Sequence, residues 1–95
     1  MSAYILAKVE ITDHAAYEEY RRRVPAVTAA YGGRYLARGG AVQRLEGDEP
    51  IHRLVILEFP NMEQLTAFYN SPEYRALLIM RQGAAKSNLL AIEGV

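Results

Sequence analysis

Residues 4–13 read Tyr-Ile-Leu-Ala-Lys-Val-Glu-Ile-Thr-Asp. The first eight alternate. Ile5, Ala7, Val9 and Ile11 fall on one side of an extended chain, and Tyr4, Leu6, Lys8 and Glu10 on the other, because successive strand side chains point to opposite faces. The spacing predicts a strand over Tyr4–Ile11. Asp13 stands where a helix N-cap belongs, since its carboxylate can accept the free N–H groups of a first turn. Tyr17, Tyr20, Val24, Val27 and Tyr31 then recur at helical spacing and form one apolar stripe. Pro25 lies inside it. Proline has no N–H and clashes with the preceding turn, so a kink or restart of the helix is expected there. Gly32 and Gly33 end the helix, with Gly32 as the left-handed residue beyond the cap.

Arg34–Arg38 alternates again and reads as a second strand. Gly39 and Gly40 call for a bulge or sharp bend, after which Ala41–Glu46 is expected to continue the strand. Gly47 to Pro50 has turn chemistry. His52–Phe59 is the third strand, with the content of a central position. Asn61 and Gln64 fit a capping box, and Leu65, Phe68 and Tyr69 face inward. Asn70 breaks the pattern; Ser71 and Pro72 restart it as N-cap and first helical residue. Tyr74, Leu77, Leu78 and Arg81 share one side of this helix. Asn88–Glu93 is a last short strand. The order βαββαβ predicts one α+β domain over residues 1–95, ferredoxin-like, with an antiparallel sheet and helices on one face.

The chain has 95 residues, 51% hydrophobic and 23% charged, the composition of a globular domain. Eleven basic residues balance eleven acidic ones, so neither a nucleic acid nor an anionic membrane is an expected partner. Nine of the basic residues are arginines, which hold carboxylates in a planar geometry better than lysine does. There is no cysteine, so disulfides, thiol catalysis and thiolate metal sites are excluded. His14 and His52 lack a metal-ligand spacing, and neither a metal nor a cofactor is expected. The apolar run Ala3–Ala7 is too short for a signal peptide or membrane span, which makes a cytoplasmic location the default.

One sheet face remains unusually apolar. Ile5, Ala7, Val9 and Ile11 with Val55, Leu57 and Phe59 suffice to pack the helices, yet Tyr4, Leu6, Leu54 and Ile56 occupy the reverse side. A solvated sheet face is normally more polar, so a second copy of the chain is expected to cover it.

The run Tyr31-Gly32-Gly33-Arg34-Tyr35-Leu36-Ala37-Arg38-Gly39-Gly40 resembles the signature of a bacterial family, domain of unknown function 1330. Leu57-Glu58-Phe59-Pro60, Ser71-Pro72-Glu73-Tyr74, Arg81 and Ser87-Asn88 extend the likeness along nearly the whole chain. His14 departs from it, in place of a proline at the helix start, and touches only the cap. The resemblance implies the dimeric α/β-barrel superfamily, whose ferredoxin-like domains pair their sheets. That superfamily includes small monooxygenases, haem-degrading enzymes, a lactone isomerase and stress-responsive proteins. Haem degradation there relies on a tryptophan and a placed histidine, and this chain has no tryptophan.

Glu58 is the first candidate catalytic residue. It shares a strand face with Leu54 and Ile56, and a partly desolvated carboxylate suits general acid or base work; a structural ion pair is the plainer alternative. Arg38 is the second, expected within reach of Glu58 in a partly enclosed polar pocket. Arg34 could pair with Glu58, hold an acidic ligand or lie on a solvated edge. Ser71, Tyr74, Arg81 and Ser87 surround the second helical region and are candidate ligand contacts. Ser71 suits a cap better than a nucleophile, since no acid–base neighbour activates it. Tyr74 suits the core with its hydroxyl at the rim, and Arg81 in an apolar stripe either pairs with an acid or meets a ligand. Two functions remain open: a cofactor-free enzyme, oxygenating or isomerising a small organic acid, or its binder; and a non-enzymatic homodimer with a purely structural barrel.

Overall fold

The N-terminal alternation becomes strand β1 (Ala3–Ile11) in a computed structural model that describes residues 1–95. Helix α1 (His14–Ala30), strands β2 (Arg34–Arg38) and β3 (Arg53–Phe59), helices α2 (Met62–Tyr69) and α3 (Pro72–Ala84), and strand β4 (Ala85–Glu93) follow. The sheet order is β2-β3-β1-β4, and every neighbouring pair is antiparallel. This is the ferredoxin-like arrangement of an α+β protein. Ala3, Ile5, Ala7 and Val9 of β1 join Val55, Leu57 and Phe59 of β3 in one buried cluster with Tyr17, Tyr20 and Val24 of α1, Leu65 and Phe68 of α2, and Tyr74, Leu77 and Leu78 of α3. Phe68 stacks 4.6 Å from the Tyr74 ring and 5.0 Å from that of Phe59, at the spacing of favourable aromatic pairs.

The helix ends follow the local sequence. Asp13 accepts the Ala16 N–H at 3.1 Å, and Asn61 that of Gln64 at 2.8 Å. Ser71 Oγ accepts the Tyr74 N–H at 3.1 Å and donates to the Phe68 carbonyl at 2.8 Å, bridging α2 and α3. Past α1, Gly32 at φ +79° donates to the Ala29 carbonyl and Gly33 to that of Thr28, the paired bonds of a Schellman ending. Gly33 has a second reason to lack a side chain. A Cβ there would lie 2.5 Å from the Phe59 ring and 2.8 Å from the Thr28 methyl.

Three expectations need correction. The helix does not restart at Pro25: α1 passes through it unbroken. Only the Arg21 carbonyl loses its donor, and the Arg38 side chain supplies another. Ala41–Glu46 is not a strand. Gly39, at φ +70°, turns the chain away once its N–H has bonded the Leu54 carbonyl at 2.8 Å, and no further strand lies beyond β2. The segment Gly40–His52 is exposed throughout; Arg44 folds onto the Gly47 and Glu49 carbonyls, and Glu49 reaches Lys8 at 2.5 Å. At the glycines the chain makes the expected sharp bend, at Gly39, while a further bulge lies at Leu36, between Tyr35 and Ala37. Finally β4 starts at Ala85, three residues before Asn88, because the Ala84 carbonyl accepts the Thr12 and Asp13 N–H groups and ties the end of α3 to the end of β1.

Gly33→Ala is expected to cost about 1–3 kcal/mol through overpacking against Phe59 and Thr28. Gly40→Ala, with nothing within 4 Å of the added methyl, is the control, expected within about 0.5 kcal/mol of wild type. Urea denaturation checks both; equal costs would remove the steric explanation.

Candidate functional site

Helices seal one sheet face and leave the other open, so strand parity decides where each candidate side chain points. On β3, Val55, Leu57 and Phe59 are sealed, while Leu54, Ile56 and Glu58 lie on the open face. On β2, Arg34 stands opposite Glu58 and Tyr35 opposite Leu57. Leu36 is then an extra residue, after which Ala37 stands opposite Ile56 and Arg38 opposite Val55. Without the bulge Arg34 and Arg38 would share a face, as four-residue spacing implies. With it, Arg38 crosses to the sealed side.

The expected Glu58–Arg38 pair is therefore corrected to Glu58–Arg34. Arg34 Nε and Nη2 each lie 2.7 Å from Glu58 Oε1. The Glu58 side chain is 18% exposed and that of Arg34 73%, so this is an ion pair at the surface, not an enclosed pocket. The Arg34 hydrogen bond, helped by Tyr4, holds the Glu58 carboxyl below the usual carboxylate range. A carboxylate so stabilised is a weak base at neutral pH.

Arg38, Tyr74 and Arg81 meet elsewhere, around a cavity of about 40 Å³ between the sealed sheet face and the helices. Its charged lining residues are all arginines: Arg21, Arg38, Arg53 and Arg81. Arg21 is paired with Glu18 on the outer face of α1 at 2.6 Å. The other three have no carboxylate partner. The Arg38 guanidinium lies 4.5 Å from the centre of the Tyr35 ring and that of Arg53 5.5 Å from the Tyr17 ring, within cation–π range. Gly39 makes room for Arg53, whose Nη1 would lie 2.1 Å from a Cβ at that position. Deeper in, the Tyr20 and Tyr74 hydroxyls are 2.9 Å apart and buried, so the Tyr74 hydroxyl finds its polar partner in the interior rather than at the rim. Burial first, and then the neighbouring Tyr74, push the Tyr20 phenol far above its ordinary value, so it stays protonated.

Three buried side-chain atoms lack any hydrogen-bond partner: Arg53 Nε, Arg81 Nε and Ser87 Oγ. They lie at one end of the sheet. Arg53 pairs with Val9 across β3 and β1, Val9 pairs with Ser87 across β1 and β4, and Arg81 sits in the last turn of α3 just before β4. A buried polar group left unpaired costs about 1–3 kcal/mol, so three at one end of the sheet are a local cost to the fold.

Of the remaining candidates, Ser71 is only 4% exposed and engaged as a cap away from the cavity. His14 and His52 are exposed. No group of three or more His, Cys, Asp or Glu is placed to hold a metal ion. Arg53 and Tyr35 were not singled out by sequence, and Tyr17 and Tyr20 were read only as core. The signal for Arg53 was parity: it shares a face with Val55, Leu57 and Phe59, where a charge is out of place.

The family model described as Domain of unknown function (DUF1330) matches residues 2–95. No curated protein matches the sequence. Among solved structures, the protein of unknown function RPA0582 from Rhodopseudomonas palustris has a TM-score of 0.79 at 24% identity, covering 99% of this chain and 82% of its own. SnoaB, a cofactor-independent oxygenase from Streptomyces nogalater, has a TM-score of 0.69 at 10% identity, covering 99% and 93%. A dimeric ferredoxin-like protein of unknown function from Thermobifida fusca has a TM-score of 0.67 at 15% identity, covering 99% and 92%. At such identities the likeness is one of fold.

Because its pKa is depressed in the folded protein, Glu58 contributes stability above its unfolded value of about 4.3, and loses it as pH falls through the lowered folded value. Glu58→Gln is thus expected to be less stable than wild type at neutral pH, with the gap closing as the solution is made acid enough to protonate the folded carboxylate. Urea midpoints across that range test it, and a gap that persists in acid contradicts the pairing.

Proposed function

We propose that this chain, which belongs to the Domain of unknown function (DUF1330) family, takes a small organic acid into the cavity between its sheet and helices, and works as a homodimer. The observation that carries the ligand is the set of arginines Arg38, Arg53 and Arg81 around one cavity with no carboxylate among its lining residues. A purely structural barrel would call for paired charges and a filled interior instead. About 40 Å³ is room for roughly three waters, or for the carboxylate head of a larger molecule. The better exposed lining residues, Arg21, Tyr35, Arg38 and Arg53, mark the side from which such a molecule would enter.

The lining favours an acid that arrives already ionised. Neither a carboxylate nor a histidine is there to take up a proton, and the buried Tyr20 keeps its own. What the arginines and the tyrosine hydroxyls offer is stabilisation of negative charge by fixed donors shielded from water. That suits cofactor-free oxygenation of an electron-rich organic anion; SnoaB, a protein of similar fold, is a cofactor-independent oxygenase. Isomerisation is less well served, because it needs a group that both removes and returns a proton. The candidates divide accordingly: Arg38, Arg81 and Tyr74 belong to the ligand site, with Ser87 beside it, and Glu58, Arg34 and Ser71 to structure.

Dimerisation would use the open sheet face. Leu6, Leu36, Leu90 and Ile92 are exposed there, and Tyr4, Leu54 and Ile56 are half-buried. The register places Tyr4 beside Ile92, and Leu6 between Ile56 and Leu90, so the patch is continuous. The Thermobifida fusca protein of this fold is dimeric.

Benzoate is the first probe. Arg81→Met is expected to leave the free protein about as stable as wild type, since a buried guanidinium with no carboxylate partner and an orphaned Nε is replaced by an apolar chain of similar length. Benzoate affinity should fall by about 10–100-fold, the worth of a charged hydrogen bond. Calorimetry and thermal denaturation read the two effects; a large stability loss with unchanged affinity would assign Arg81 to structure.

For the dimer, sedimentation of the wild type at micromolar concentration should give twice the chain mass, with an interface above about 1,200 Å² in total. Ile56→Asp should give monomer or aggregate. A monomeric wild type would sink the assembly.

A further inference from the structure

Arg38 reaches the cavity because two local irregularities meet. The Leu36 bulge turns its side chain to the sealed face, opposite Val55. On the facing helix, Pro25 has no N–H, so the Arg21 carbonyl one turn earlier has no helical donor. Arg38 Nη2 donates to that carbonyl. The Tyr35 ring supports the guanidinium from one face at 4.5 Å. A guanidinium carries five N–H donors in a rigid plane, and Arg21 uses an Nη2 donor. The plane is therefore fixed along one edge and one face, while Arg38 itself lines the cavity with Arg53 and Arg81.

We propose that Pro25 and the Arg21 carbonyl are a positioning device: they hold Arg38 so that its remaining N–H edge meets the carboxylate of the bound acid in a fixed plane. This rests on the cavity being the acid site, and deepens it by naming the group that orients the ligand head. Proline inside a helix is a local defect if only α1 is considered. It becomes useful once the carbonyl it frees is an anchor for a charged side chain that has no carboxylate partner. An unanchored arginine would lose side-chain freedom on binding, and preorganisation lowers that cost.

The test is Pro25→Ala. Alanine restores the N–H, the helix reclaims the Arg21 carbonyl, and Arg38 is released. The expected signature is opposed: the free protein is at least as stable as wild type, yet benzoate binds about 3–10-fold more weakly. Arg38→Met should weaken benzoate by about 10–100-fold, and Pro25→Ala should add little in that background, because its effect acts through Arg38. Arg38→Lys keeps the charge and a donor for Arg21 but not the planar fork, and should recover only part of the loss. Nitrogen-15 NMR of arginine side chains gives a readout that needs no ligand: slow rotation of the Arg38 guanidinium in wild type, fast rotation in Pro25→Ala. Pro25→Ala that binds benzoate like wild type, or with additive effects in the double variant, overturns the proposal. Unchanged rotation in Pro25→Ala overturns the anchor itself. If benzoate fails to bind the wild type while the rotation changes as expected, the anchor stands and the acid site beneath it falls.

Discussion

Strand β1 is hydrogen-bonded on both sides, to β3 through Ala3–Val9 and to β4 along its whole length. A slip of one residue in either ladder would turn every side chain of the strand over. The double pairing therefore fixes which face the helices cover. It puts Ala3, Ile5, Ala7 and Val9 beneath them, sends Leu6, Lys8 and Glu10 to the open side, and sets Val55, Leu57 and Phe59 in line through β3. Ala7 lies at the middle of the sealed face and lines the cavity. A small residue there, between larger neighbours, leaves the space that Ile5 and Val9 would otherwise close.

Against so firm a register, one inserted residue has large consequences. Leu36 adds a residue to an edge strand, where the ladder has a partner on one side only and a bulge is most easily accommodated. The two arginines of β2 are then divided between two environments. Arg34 meets a carboxylate at the surface, and Arg38 meets a helix carbonyl under α1. Neither role is visible in the spacing of the strand by itself.

Local signals in the sequence carried the fold almost whole. Asp13, Asn61, Ser71 and the Gly32-Gly33 pair act through bonds within a few residues, and the alternation in β1 and β3 is strict. What failed to read through was set by distant groups. Continuation of the strand over Ala41–Glu46 fails because Gly39, at φ +70°, turns the chain away once its N–H has bonded the Leu54 carbonyl, 15 residues on. A break at Pro25 depends on whether anything satisfies the Arg21 carbonyl, and Arg38, 17 residues away, does so. The site was half legible. Arg38, Tyr74 and Arg81 could be picked out as candidates, but not the cavity they share, because periodicity does not reveal a bulge. Arg53 was legible in principle, as a charge on a buried parity.

That misplaced charge bears on stability as much as on ligands. Arg38, Arg53 and Arg81 all have charge drawn toward a face otherwise built from alanine, valine, leucine and aromatic rings. Tyr35 and Tyr17 offset part of the cost through their ring faces, and the Arg21 carbonyl offsets more for Arg38. Arg81 has less: it is 6% exposed, and its Nε donates to nothing. A domain of this size buries a modest core and has little stability to spare for such an arrangement. An apolar side chain at position 81 would pack there with less penalty. If the cavity is the acid site proposed above, an anion bound there would turn that local weakness into a favourable contact, and its binding would firm the fold.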